Sequence, residues 1–255
     1  MRNKSLSVIL LFLCLQLVGC SDDEKEIYSL SFEKEYYERP LVGKGNIPIR
    51  GGNRDYTVTV ADPSILDVKV DLSSPTDMGS LSLTLKQKGE TTITVRDNVT
   101  NETVLLKIKV VDNYMGMKNI SSHGEPYVLN SYLFLTNNEN KDFYLYDTDL
   151  KTEKYKGTYA FSVEDNEPYL TLSFSKEVNG KSVHKYSLLD TSGTFYKLSK
   201  TLLGMDWETS KANVNSVVRS DVMPSVYMVA RDVDTDEEVK FIFNASAEIP
   251  YNVLQ

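Results

Sequence analysis

Cysteine is nearly missing from these 255 residues, which hold only Cys14 and Cys20. Histidine is as scarce, at His123 and His184, and Trp207 is the only tryptophan. So few thiols exclude a disulfide framework and a Cys-rich metal site, and leave no spare thiol nucleophile. Two isolated histidines do not build an ordinary zinc site either, so no metal and no cofactor is expected. Equally missing are G-x-S-x-G, H-E-x-x-H and a glycine loop placed after a strand to cradle phosphate. Basic blocks are lacking too. Lys and Arg total 28 against 36 Asp and Glu, a net charge of −8, and a chain this acidic has no overall attraction to nucleic acid. No apolar run reaches the about 20 residues that a membrane-spanning helix needs.

What is present begins with an apolar stretch at residues 6–18, preceded by Arg2 and Lys4 and broken only by Ser7, Cys14 and Gln16. Its length suits the h-region of a secretory signal peptide. The stretch closes on "LVGC" (Leu17, Val18, Gly19, Cys20), which resembles the lipobox of bacterial lipoproteins. That resemblance implies cleavage before Cys20 and acylation of its thiol and new amino end. Several acyl chains on one residue anchor firmly, because each buried CH₂ contributes about 0.8 kcal/mol. The acidic run Ser21-Asp22-Asp23-Glu24 is similar to the export tag of Bacteroidetes-type surface lipoproteins, which implies the outer membrane and its outer face. Residues 1–19 are therefore expected to be a signal and 20–26 an acidic tether. Arg2 and Lys4 would leave with the signal, and the mature chain would be more acidic still.

From residue 27 to 112 the pattern alternates with period two. "YTVTV" places Tyr56, Val58 and Val60 on one face, and "LSLTL" does the same with Leu81, Leu83 and Leu85. Ile93 and Val95 in "TTITV", and Val104, Leu106, Ile108 and Val110 in "VLLKIKV", complete the set. Such alternation reads as half-buried strands. Turn residues punctuate them at Gly51-Gly52-Asn53, Asp62-Pro63-Ser64, Ser74-Pro75-Thr76, Lys88-Gly89-Glu90 and Asp97-Asn98. About seven short strands at this spacing predict an immunoglobulin-like sandwich. "IPIRGGNRDYTVTVADPSILDV" followed by "KGETTITVRDNVTNETVLLKIKVVD" also resembles the bacterial Ig-like (group 2-like) repeats of surface proteins. That resemblance implies the same fold and a spacer role.

Residues 113–126 break the alternation and read as a linker. Beyond them tyrosine and phenylalanine are concentrated, in "YLFLT", "DFYLYD", "GTYAFSV", "PYLTLSF", "VHKYSLL", "TFYKLS", "VYMVARDV" and "EVKFIF". Eight short strands in residues 127–255 predict a second all-β domain, either a β-sandwich or a lipocalin-like barrel. Gly157-Thr158-Tyr159 is similar to the Gly-x-Trp strand opening of lipocalins, with Tyr for Trp and two strands ahead of it. Only residues 199–213, around "LLGMDWETS", leave room for a helical turn or two.

No catalytic set emerges. His123 lies in "SSHGEP", where a neighbouring serine makes no triad without a third, orienting group. His184 shares a strand face with Tyr186 and Leu188 and reads as a partly buried strand histidine. Asp232, Asp234 and Asp236, with Glu237 and Glu238, suggest calcium. An EF-hand, however, needs Gly at its sixth position and Glu at its twelfth, where this chain has Glu237 and Phe243. The acids fit a solvated hairpin tip better. Trp207 is the one ligand-contact candidate, because it sits in a connection rather than in a strand. The expected whole is a lipid-anchored, surface-exposed, non-catalytic binding protein, partnered by the membrane through Cys20 and by a glycan or a surface protein. Its layout is similar to that of glycan-binding lipoproteins of polysaccharide-uptake systems. The rival readings are a structural or adhesive component of a surface assembly, a barrel holding a small apolar ligand, and a hydrolase.

Overall fold

The computed structural model describes residues 26–43, 45–121, 124–189, 193–207 and 227–254. The expected signal, Cys20 and most of the acidic tether, and His123, lie outside the described residues.

The first half is a sandwich of two four-stranded sheets. One holds, in order, β1 (Ser31–Phe32), β3 (Gly45–Gly51), β6 (Ser80–Leu85) and β5 (Leu66–Asp71). The other holds β2 (Tyr36–Pro40), β8 (Thr103–Val111), β7 (Gly89–Asp97) and β4 (Tyr56–Val60). With the first strand split between the sheets, this is the ABED/CFG strand order of an immunoglobulin sandwich. The split adds β2 to the second sheet as a parallel neighbour of β8. Alternation sends Ile47, Ile49 and Leu81 of one sheet against Ile93, Val95, Leu106 and Ile108 of the other, all buried.

One side chain ties the two turn motifs of this domain together. Asp97, fully buried, accepts hydrogen bonds from the Asn53 backbone N–H at 2.8 Å and side-chain Nδ2 at 2.9 Å. Its other oxygen accepts from the N–H groups of Val99 and Thr100 at 2.9 and 3.4 Å. Gly52, at φ +126°, must be glycine, since a Cβ there would lie 2.7 Å from the Tyr56 hydroxyl. The Gly-Gly-Asn turn and the Asp-Asn turn, 44 residues apart, are thus two ends of one hydrogen-bonded knot.

The second half is a closed up-and-down barrel of eight antiparallel strands, which decides between barrel and sandwich. It runs β9 (Tyr114–Asn119), β10 (Tyr132–Thr136), β11 (Asp142–Tyr146), β12 (Glu153–Glu164), β13 (Glu167–Val178), β14 (Lys181–Leu189), β15 (Tyr227–Asp232) and β16 (Glu238–Phe243). β16 pairs with β9 to close the ring. Gly157 sits where β12 crosses β13 so closely that a Cβ would fall 1.8 Å from the Ser173 carbonyl oxygen. The Gly-x-Tyr signal therefore marks a real steric constraint of the barrel wall.

Two expectations are corrected here. Residues 113–126 are not simply a linker, since they supply the stave β9. Met115, Gly116 and Met117 are buried in succession, because β9 is covered on both faces. Met115 and Met117 point into the barrel core, while Gly116 lies under Phe134 and the Ala247 carbonyl. Burial on both sides erases the period-two signal that the linker reading relied on. Conversely, "TFYKLS" is no strand but the start of α1 (Gly193–Leu203). Its buried residues Phe195, Tyr196, Ser199 and Leu203 form one helical face, which packs into the barrel core.

The barrel sits firmly on the sandwich. A C-terminal strap carries Ala247, Ile249 and Leu254 onto Val111 of β8 and onto Phe134 and Tyr146 of the barrel wall. The Asn252 N–H donates to Glu38 Oε1 at 2.8 Å, and Lys109 Nζ donates to the Leu254 carbonyl at 2.8 Å. Arg39 pairs with Glu248 at 3.3 Å, and Tyr36 meets Tyr251 edge to face at 5.4 Å.

Candidate functional site

The barrel has two unlike ends. At the end nearer the sandwich, α1 lies across the mouth and Lys141 Nζ holds the Leu203 carbonyl at 3.0 Å. The Tyr159 hydroxyl donates to the Thr136 carbonyl at 2.9 Å there. Between the ends the interior is filled with side chains: Met117, Leu133, Phe143, Leu172, Phe174 and Phe241 are all buried in one cluster. The reading of a barrel with an empty apolar interior is therefore set aside, because these side chains occupy the space a ligand would need.

The outer end is different. There the β13–β14 and β15–β16 hairpins and residues 124–127 line a small open cleft. Its wall brings together Tyr127, His184, Tyr186 and Asp232, all buried. The Tyr127 hydroxyl donates to the Tyr186 hydroxyl at 3.0 Å, with the rings edge to face 6.0 Å apart. His184 stacks on Tyr186 and meets Phe174 edge to face at 5.4 Å. Its Nε2 lies 3.1 Å from the Val178 carbonyl and its Nδ1 3.4 Å from Asp232 Oδ2. Lys181 pairs with Asp234 at 2.7 Å on the rim.

Electrostatics follow from burial. Desolvation pushes the phenol of Tyr127 well above its ordinary value, and that of Tyr186 likewise. Both stay protonated across the physiological range and serve as hydrogen-bonding groups. For Asp232 burial alone would raise the carboxyl. The N–H groups of Asp234 and Thr235, with His184, outweigh it and hold the acid below the usual carboxylate range.

The Asp232 turn has a twin. Asp97-Asn98-Val99-Thr100-Asn101-Glu102 and Asp232-Val233-Asp234-Thr235-Asp236-Glu237 fold alike. In each, the first Asp accepts from the N–H groups two and three residues on. In each, the fifth residue (Asn101, Asp236) has a positive φ and donates its N–H to the first carbonyl. The twin manages this without Asp234 or Asp236 equivalents, so the turn explains Asp232 and leaves the other two acids as rim charges. Arg231 lies 3.5 Å from Asp236 and 2.5 Å from Glu238. Among the described residues no group of three or more His, Cys, Asp or Glu is placed to hold a metal ion.

Trp207 lies at the opposite end from this cleft. Its indole N–H donates to Ser199 Oγ at 2.7 Å. Its ring packs against Phe161 and Tyr196 at 4.9 and 5.0 Å. The half-buried remainder lines a shallow groove with Phe161, Met205 and Asp206. The outer cleft was not visible as a unit in the sequence. His184 and Tyr186 carried the single signal, a shared strand face; Tyr127, 59 residues before Tyr186, carried none.

No family model matches the chain, and no curated protein matches it in sequence. Among solved structures, domains 5–6 of the S-layer protein SbsC align with 88% of this chain and 86% of that one, at 13% identity and a TM-score of 0.28. Domains 4–9 of surface layer protein SbsC align with 86% of this chain and 31% of that one, at 11% identity and a TM-score of 0.29. Superposition this loose carries nothing further over to the present chain.

Proposed function

We propose that this chain is a lipid-anchored, non-catalytic binding protein of the outer-membrane surface, and that it takes its ligand at the outer mouth of the barrel. The observation that carries the reading is the cleft itself: four buried groups capable of hydrogen bonding converge on the outer end of a barrel whose described interior is filled. The layout supports it. The "LVGC" and acidic run precede the sandwich, β9 leaves the sandwich at Tyr114, and the strand runs toward the end that holds the cleft. The Ig-like sandwich would be the spacer, and the strap would keep barrel and spacer in one orientation.

The surface-assembly reading has less behind it. A closed barrel presents no strand edge. Of the four sandwich edges, β1 has two residues, β5 turns Asp67, Lys69 and Asp71 outward, and β2 includes Pro40, whereas β4, with the sequence YTVTV, carries neither charge nor proline. The first three resist strand addition, and β4 is the edge that the surface-assembly reading would use.

Two measurements test the proposal. Cys20→Ala should move the protein from membranes to the soluble fraction, and protease added to intact cells should digest the wild type. Adding a cell-surface polysaccharide extract to the mature protein should shift the NMR resonances of His184 and Tyr186 and leave those of Ile93 and Leu106 unmoved. Shifts confined to the sandwich would refute the site, and membrane retention of the Cys20→Ala variant would refute the anchor.

A further inference from the structure

At one flank of the sandwich, β4 ends one sheet and β5 ends the other. β4 pairs with β7 in unbroken register, from Tyr56 opposite Asp97 to Val60 opposite Ile93. Bonds just outside the strand set its parity. The Ala61 N–H donates to the Thr92 carbonyl at 2.9 Å, and the Asp55 carbonyl accepts from the Asn98 N–H at 2.8 Å. Odd-numbered residues therefore spend their backbone groups on β7, and the N–H and C=O groups of Tyr56, Val58 and Val60 point away from it. Among the described residues nothing bonds to them. The side chains of the same three residues are only half-buried, whereas Ile93 and Val95 beside them are fully buried. Val68 and Val70 of β5 are half-buried at the same flank. Free backbone groups and uncovered apolar surface thus coincide on one edge.

The sequence of β4 says what would cover it. With outward groups at residues 56, 58 and 60, the longest antiparallel overlap of β4 with itself centres on Val58. Val58 then meets Val58 of the other copy, Tyr56 meets Val60 and Thr57 meets Thr59. Each outward residue exchanges both of its backbone bonds. On the inner face Tyr56 against Val60 is an aromatic and β-branched pair, and on the solvent face threonine meets threonine; both kinds of cross-strand pair are stabilising. Past the strand ends, Arg54 stands opposite Asp62 of the other copy and Asp55 opposite Ala61, so no like charges face each other directly. Such a two-fold pairing uses both edges at once and closes, leaving nothing for a third chain to extend. We propose that β4 is a homophilic edge, through which two copies of this chain join their sheets into one continuous sheet.

The antiparallel sense of the pairing decides which copies meet. The Tyr28 N–H donates to Asn53 Oδ1 at 3.0 Å, and the Leu30 N–H to Glu102 Oε2 at 2.7 Å, so the chain enters the sandwich at the Tyr56 end of β4. Val60 lies toward the other end, where β8 reaches Val111 and the barrel. Setting Tyr56 of one copy beside Val60 of the other puts the two entry points at opposite ends of the joined sheet. On a single membrane the barrel of the inverted copy would lie where the bilayer is. With the anchor proposed above at Cys20, the pair therefore joins chains held by two facing membranes. This consequence rests on the anchor reading; the pairing of β4 does not.

The test uses the mature chain without its acyl groups. Sedimentation equilibrium should show a monomer–dimer equilibrium. Deuterium exchange should show the amides of Tyr56, Val58 and Val60 gaining protection as concentration rises, while those of Thr57 and Thr59 are protected throughout. Thr57→Lys combined with Thr59→Lys sets like charges opposite each other twice in the pairing and should weaken self-association about ten-fold, as should the matching pair of Glu substitutions. Mixing the Lys and Glu variants should restore a dimer, which only a register that brings residue 57 to residue 59 explains. Beads coupled through the Cys20 thiol should clump when coated with wild type, stay dispersed with either variant, and clump when the two variants are mixed. A chain that remains monomeric up to millimolar concentration would overturn the proposal, and so would a dimer whose new protection falls on the strap or the barrel. Should the charged variants fail to fold, the alternating protection of the wild-type amides decides alone. A dimer with the expected protection whose beads do not clump would refute the facing-membrane arrangement and support the pairing edge.

Discussion

Replacing Asp97 should damage the sandwich more than any other single polar change, and the reason can be followed atom by atom. Its carboxylate is fully buried and accepts four hydrogen bonds, three of them at 2.8–2.9 Å. Asp97→Ala strands the backbone N–H groups of Asn53 and Val99. Hydrogen bonds to a charged group contribute about 1.5–3 kcal/mol each, not additively, so a loss of about 4 kcal/mol is expected. Asp97→Asn keeps the acceptor for Val99 but turns an NH₂ group toward Asn53, and about 2 kcal/mol is expected. A pH signature accompanies this. Burial alone would raise the Asp97 carboxyl; the N–H groups of Val99 and Asn53 outweigh it and lower it below the ordinary value. A depressed acid stabilises the fold fully above its unfolded value of about 3.9 and loses that contribution as pH falls toward the folded value. Urea unfolding of wild type and Asp97→Asn should therefore differ most near neutral pH and converge as the solution is acidified below pH about 4. A gap that stays constant with pH, or an Asp97→Ala loss under about 1 kcal/mol, would refute the knot as the holder of the two turns.

Trp207→Ala should lower barrel stability by about 3 kcal/mol, the low end for a buried aromatic because the ring is half exposed. It should leave unchanged the response of His184 and Tyr186 to the polysaccharide extract, and an altered response would contradict the placement of Trp207 at the other end. Glu38 Oε1 accepts from Tyr36 at 2.6 Å and from Asn252 at 2.8 Å, whereas its buried Oε2 has no partner among the described residues. Glu38→Gln should therefore change the melting curve by less than about 1 kcal/mol, and Glu38→Ala should cost about 2–3 kcal/mol by stranding both donors. If the two variants melt alike, the strap is not held at this point. Burial raises the phenols of Tyr114 and Tyr146 to about 12. A raised acid stabilises fully below its unfolded value of about 10 and loses that contribution as pH climbs toward the folded one. Alkaline unfolding should thus begin between pH 10 and about 12, seen as tyrosine ionisation and loss of circular dichroism in the same step.

Several elements were legible before any coordinates because their causes are local. Strict alternation in "YTVTV", "LSLTL" and "TTITV" follows from one buried and one solvated sheet face, and it placed the strands of the sandwich. The failed EF-hand spacing reduced the run after Asp232 to a hairpin turn, and the turn at Asp97 folds in the same way. The "LVGC" and acidic run, which carry the expected anchor, are likewise local signals.

Where neighbours distant in sequence supply the environment, local reading misled. β9 lacks alternation because the C-terminal strap covers its outer face, and "TFYKLS" imitates a strand although its buried residues lie on one side of a helix. The sequence by itself determined the all-β class, the sandwich strands and the scarcity of cysteine and histidine, since these depend on residue type and short-range period. Only the tertiary structure decided that the second half closes into a barrel, that its interior is filled, and that Tyr127, His184, Tyr186 and Asp232 meet at the open end. Closure depends on β9 pairing with β16 across more than a hundred residues, and a site assembled by such a pairing leaves no trace in any window of the chain.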